Sequence, residues 1–203
     1  KAAEDQKSIY YAVGESVDRL AKMPIVKTVT SKGYDVLLCT QDVDEFCMMA
    51  MNSFDEHQLK NVAGGDLDLE TEDEKEAAEA ITKENESLFT TMKEALGDAV
   101  TRVAVSTRLS DTPAAVTTEG PISLEMERMM AMGPDGEQIK ADRVLEINPQ
   151  HKVFDILKKA EKEGNTEKIE LYSTILYNQA LIVENMPVDD PVAYAQAVTS
   201  LME

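Results

Sequence analysis

Tryptophan is absent from the sequence, and phenylalanine and tyrosine together bring the aromatic share to only 5%. A core must therefore rest on Leu, Ile, Val, Ala and eleven Met, which favours helix-on-helix packing with methionine as an adaptable filler. Basic residues are also scarce: 20 Lys and Arg stand against 39 Asp and Glu, a formal net charge of -19. Such a chain repels phosphate backbones and anionic lipid, which excludes nucleic acid and membrane as expected partners. No stretch reaches the ~18 continuous apolar residues of a spanning helix. The opening Lys-Ala-Ala-Glu-Asp-Gln-Lys does not read as a signal peptide. Cys39 and Cys47 are the only cysteines; their spacing fits no CxxC or zinc pattern, so they read as small hydrophobes in a reducing compartment.

What is present suffices for one large domain or two small ones: 203 residues, 43% of them hydrophobic. The Ile-Tyr-Tyr run within Ser8 to Val13 reads as a strand, followed by Gly14 and a helical pattern that Pro24 interrupts. Tyr34 to Cys39 reads as a second strand covered on both faces, and Asp42 as the cap of a helix through Phe46 and Met49. Strand, helical connection, strand, helix within this span predicts a βαβ-type unit with a parallel sheet. Gly64-Gly65 and the acid-rich run from Asp66 to Glu79 mark a boundary. The alternating Asp66, Asp68 and Glu70 do not make a calcium loop, because Thr71 and Ala77 stand where that loop needs Gly and Glu.

Beyond the boundary, Ala78, Ile81, Leu88, Met92 and Ala95 predict one long helix from Glu72, with Gly97 as its C-terminal cap. A strand pair is expected at Ala99 to Thr107 and Ala114 to Thr118. A short helix follows at Ile122 to Met132, between Gly120-Pro121 and Gly133-Pro134-Asp135-Gly136. Arg143 to Ile147 reads as a strand and Asn148-Pro149 as the cap and first turn of a helix through Val153 to Ala160. The last stretch reads as two helices, from Asn165 or Thr166 to Asn185 and from Asp190-Pro191 to Glu203. On the first, Ile169, Tyr172, Leu176, Ala180 and Val183 form one apolar stripe, and Leu171, Ile175 and Ile182 a second. The final helix, with Tyr194, Ala197, Val198 and Leu201, covers only part of this surface. An antiparallel pair packed on its own copy across a two-fold axis would cover the rest.

No catalytic constellation is assembled. His57 and His151 lie far apart in sequence, and GxSxG, P-loop and HExxH patterns are missing. The Gly14-Glu15-Ser16 turn after a strand is the one place where a phosphate could be held. It supports the rival reading: a small acidic α/β phosphate- or nucleotide-binding enzyme domain with a helical tail. The sharper candidate is the helix from Ile122, whose Ile122, Met126, Met129 and Met130 share one face. Unbranched thioether side chains suit a surface that binds many shapes, although the same face could equally pack on the core.

Several strings, taken together and in order, resemble the heat shock protein 90 family in its bacterial form. They are Gln6-Lys7-Ser8-Ile9-Tyr10-Tyr11, Lys32-Gly33-Tyr34-Asp35-Val36-Leu37, Arg108-Leu109-Ser110-Asp111-Thr112-Pro113, Leu145-Glu146-Ile147-Asn148-Pro149-Gln150-His151 and Leu176-Tyr177-Asn178-Gln179-Ala180-Leu181. The resemblance implies an α+β protein in two parts. Residues 1–69 would be the small αβα end of the middle segment. Residues 70–203 would be a mixed α+β domain ending in a helical dimerisation bundle. The implied role is homodimerisation and client binding without catalysis, in a cytoplasmic chaperone. ATP and Mg would bind in domains of the parent upstream of Lys1, leaving this part with no cofactor or metal of its own. The chain opens on Lys rather than Met, as a piece of a longer protein would, and the acidic pentapeptide that ends cytosolic eukaryotic members is absent.

By the same resemblance, unfolded or partly folded clients would meet Ile122, Met126, Met129 and Met130, together with Phe46 and Met49. Phe46 stands where bacterial members carry a client-contacting Trp; Met49 stands where they carry a polar residue. The dimer interface would draw on Leu171, Ile175, Leu176, Ile182, Tyr194, Val198 and Leu201.

Overall fold

A computed structural model describes residues 6–41, 43–64, 67–69, 71–132 and 139–202. The expected cap at Asp42, the second glycine of Gly64-Gly65, and the break at Gly133-Pro134-Asp135-Gly136 lie outside the described residues, as do Asp66 and Glu70 of the acidic run. The chain forms two compact units, residues 1–71 with 118–141 and residues 72–117 with 142–203. The Met-rich helix thus belongs to the same unit as the N-terminal α/β part.

In the first unit, β1 (Ser8–Val13), α1 (Val17–Leu20), α2 (Pro24–Ser31), β2 (Val36–Cys39), α3 (Asp44–Met51), β3 (Ser53–Phe54) and β4 (His57–Asn61) follow in order. The sheet runs β2-β1-β4-β3, with β1 parallel to both β2 and β4 and β3 antiparallel to β4. Pro at the first position of α2 presets its start, and Ile25, Val26 and Val29 turn its apolar stripe onto the sheet. Tyr10, Ala12, Leu20, Val62 and Leu67 fill the core on that face. The Tyr10 hydroxyl donates to the Leu67 carbonyl at 3.0 Å.

The βαβ expectation holds with one correction. The strand expected at Tyr34 to Cys39 is shorter, begins at Val36 and lies at the sheet edge, where Leu37 is 47% exposed. Neighbour β1 takes the central place that covers both faces. The hairpin β3–β4 was hidden by its polar sequence. It turns through Asp55 and Glu56 at φ 48° and 67°, without the glycine that usually marks such a turn.

In the second unit, α4 (Glu72–Glu84), α5 (Glu86–Leu96), β5 (Arg102–Val105) and β6 (Ala114–Glu119) are followed by β7 (Asp142–Ile147), α7 (Lys152–Lys162), α8 (Thr166–Val183) and α9 (Pro191–Ser200); α6 (Leu124–Ala131) lies in the first unit. The single helix expected from Glu72 to Gly97 is two. Asn85, buried and at φ -113°, leaves helical geometry at the junction and donates its side-chain amide to the Ile81 carbonyl at 2.7 Å. Gly97 does close α5, at φ 56°. The strands β5 and β6 do not pair: β7 lies between them, parallel to β5.

The α7 cap is His151, not Asn148. The His151 Nδ1 accepts from the Val153 amide at 3.2 Å. Asn148 is instead fully buried and donates to the carbonyls of Ser110 and Thr112, both at 3.0 Å, pinning that loop to the end of β7. Val153, Phe154, Leu157 and Ala160 turn α7 inward, with Phe154 stacked on Phe89 at 6.2 Å between centroids. Within this core Glu146 accepts from Arg108 at 2.6 Å, Ser106 at 2.8 Å and Thr117 at 3.1 Å.

Candidate protein-interaction site

Helix α3 is built inside out. Its buried residue is Glu45, 1% exposed, while Phe46, Cys47, Met49 and Met51 face outward. The Glu45 carboxylate takes the side-chain amide of Asn61 on both oxygens, at 3.2 and 3.1 Å. The Ser123 hydroxyl lies near it. Burial pushes its pKa above the ordinary carboxyl value; Ser123 and Asn61 work in the opposite direction, and nearby Glu125 adds to the rise. Ser123 is also the N-cap of α6, its oxygen accepting from the Met126 amide at 3.1 Å. The buried Glu45 thus lies close to the cap of the Met helix.

A groove of about 670 Å³ lies between the outer face of α3 and α6. Val43, Phe46, Met129 and Met132 supply its apolar surface; Glu15, Glu125 and Arg128 are its charged side chains. Arg128 donates to Glu125 through Nε at 3.0 Å and to Glu15 through Nη1 at 3.1 Å. Phe46 is 46% exposed, and Met49 stands outside on the same helix.

The four candidates on α6 divide. Met126 is 7% exposed and packs inward, so it is core in this arrangement. Ile122, Met129 and Met130 are half-buried, and of these Met129 reaches the groove. Sequence reasoning missed Val43 and Met132, the latter 72% exposed. Met132, three residues beyond Met129, carries the same helical signal but stands at the end of the expected helix.

The interface candidates of the second unit also divide. Ile175 and Leu176 are buried within their own unit, whereas Leu171, Tyr194 and Val198 are half-buried and Ile182 and Leu201 are exposed. The two-stripe reading of α8 thus needs correction: one broad face spanning Ile169, Ile175, Leu176, Tyr177 and Leu181 is buried by its own unit. The outward remainder centres on Ile182 and Val183. These border an apolar hollow of about 300 Å³ with Pro113 and Tyr194. Helix α9, capped by Asp190 on the amides of Val192 and Ala193, buries no residue fully.

The Gly14 turn does not fit a phosphate. The α1 helix behind it has four residues, Ser16 caps that helix itself, and Glu15 and Glu125 put carboxylates at the groove. Cys39 is buried, with its thiol pKa pushed up mainly by burial, and Cys47 is exposed. Among the described residues no three His, Cys, Asp or Glu side chains could share a metal ion, and no helix is long and apolar enough to cross a membrane.

A family model for Hsp90 protein matches residues 1–203. The chain belongs to the Hsp90 family. It is similar to proteins named "Chaperone protein HtpG": 46% identical over 200 residues in Oceanobacillus iheyensis, 43% over 203 in Clostridium perfringens and 42% over 199 in Bacillus velezensis. These alignments take in 98%, 100% and 98% of this chain and 32% of each relative, so the chain spans about a third of the length of those Hsp90 relatives. The strings that carried the resemblance prove mostly architectural. The first forms β1, Arg108 neutralises Glu146, Asn148 holds a loop, and Leu176, Tyr177, Ala180 and Leu181 lie on the inward side of α8.

Proposed function

We propose that this chain is the part of an Hsp90-family chaperone that joins two copies and contacts unfolded or partly folded clients, binding without chemistry of its own. The observation that carries the reading is α3. A helix that buries a glutamate and presents Phe46 and Met49 outward, with Phe46 beside Met129 and Met132, spends stability to keep an apolar surface available. Thioether side chains let one such surface fit many sequences. ATP and Mg would act elsewhere in the parent chaperone, and no step on this chain is routed through them. A cytoplasmic location belongs to the same proposal.

The decisive test is binding of a permanently unfolded, reduced and alkylated protein, followed by fluorescence anisotropy, to the wild-type chain and to a Phe46→Ser, Met129→Ser variant. Loss of binding with unchanged circular dichroism supports the reading; unchanged binding removes it. The homodimer is tested separately by light scattering across a dilution series. The expected outcome is a dimer that an Ile182→Glu, Leu201→Glu variant converts to a folded monomer. A wild-type chain that is monomeric throughout would overturn that half of the proposal.

A further inference from the structure

We infer that the groove between α3 and α6 selects client segments in which an apolar side chain lies next to a lysine or arginine; this rests on the client-binding reading and deepens it. The argument is one of charge. Arg128 is already committed on two sides, to both oxygens of Glu125 and to Glu15, and its side chain is only 14% exposed. An incoming carboxylate would find a guanidinium whose charge two glutamates already balance, with those glutamates alongside to repel it. Glu15 is the opposite case. Its side chain is 56% exposed, and a carboxylate can accept about four hydrogen bonds, of which Arg128 supplies one through Nη1.

A client cation therefore meets an open acceptor at the rim while its apolar neighbour settles against Phe46 and Met129. Two carboxylates to one guanidinium leave the groove with negative potential, in a chain whose net charge is -19. That field steers cationic segments inward and repels acidic ones before contact. Geometry supplies the same pairing: Glu15 directly follows Val13 and Gly14, and all three line the groove opposite the Met helix. Acceptor and apolar wall thus belong to one groove, which a single extended peptide would occupy.

The test uses the full chain and three fluorescent peptides sharing one apolar centre, flanked by Lys, by Gln or by Glu, each titrated at low and high salt. The Lys peptide is expected to bind roughly five-fold tighter than the Gln peptide, the range of one partly exposed ion pair, with the Glu peptide weakest. High salt should compress the ranking, and Glu15→Gln should remove most of the Lys advantage, read as the ratio of Lys-peptide to Gln-peptide affinity within that variant. Equal binding of all three peptides, or a Glu peptide that binds best, overturns the charge rule. If Phe46→Ser still weakens every peptide in that case, the client reading survives alone. If Phe46→Ser leaves all three untouched, the groove is not the client site and both readings fall together.

Discussion

Glu45 in the first unit and Glu146 in the second are both buried, yet their surroundings differ in kind. Glu146 has a guanidinium at 2.6 Å and two hydroxyls, so its charge is matched inside the fold. Among the described residues Glu45 has the Asn61 amide and no cationic hydrogen-bond partner, and burial drives its pKa up. The second unit uses its buried acid to hold strands together. The first uses its acid to hold a helix whose outer face is left apolar. One arrangement contributes to stability and the other spends it, which is the signature of a surface kept for binding.

The strongest way to break this comparison is Arg108→Leu. It strands Glu146 without its cation and should cost about 3–5 kcal/mol, read from urea denaturation. The loss of hydrogen-exchange protection should centre on Leu145 and Ile147, with Tyr10 and Ala12 little affected. Next in size, the Ile182→Glu, Leu201→Glu change should weaken self-association by about 2 kcal/mol or more without changing unfolding of the monomer.

A smaller effect, of opposite sign, is expected at Glu45. Its folded pKa is raised, so the folded state holds the proton more tightly than the unfolded chain. The contribution of Glu45 to the stability of the first unit is therefore greatest at acid pH and falls as pH rises from 4.5, the ordinary carboxyl value, through the raised value. Glu45→Gln should flatten that fall and stabilise the first unit by about 1 kcal/mol at neutral pH, measured by hydrogen exchange of β1 across pH. A variant that is less stable at neutral pH would mean that the charge itself is required. Least of all, Phe46→Ser should change stability by no more than about 0.5 kcal/mol, since the ring is half in water.

Much of the frame was legible in the sequence because it rests on local signals. Asn165 and Asp190-Pro191 announced α8 and α9, Gly97 announced the end of α5, and the Ile-Tyr-Tyr run announced β1. What escaped depends on distant contacts. The insertion of β7 between β5 and β6 joins segments some forty residues apart. The break at Asn85 looks continuous by periodicity, because α4 buries no residue and water tolerates either course. At the site, periodicity correctly placed methionines on one face of α6 but could not tell Met126, turned inward, from Met129 beside it in the groove. Nor could it foresee that α3 would bury its acid; the resemblance, not the helix pattern, pointed Phe46 and Met49 toward a client.

The match between Arg108 and Glu146 also bears on how the second sheet finds its alignment. Strand β7 is buried on both faces, with Val144 and Glu146 on one and Leu145 and Ile147 on the other. Hydrophobicity alone therefore discriminates poorly against a slip of one residue, which exchanges the two faces. Charge does discriminate. A slipped strand would carry Glu146 away from Arg108, Ser106 and Thr117, and would pull Asn148 off the loop carbonyls it holds. The polar residues inside this core thus act as a proofreading code, rejecting a misaligned sheet that its oily neighbours would accept.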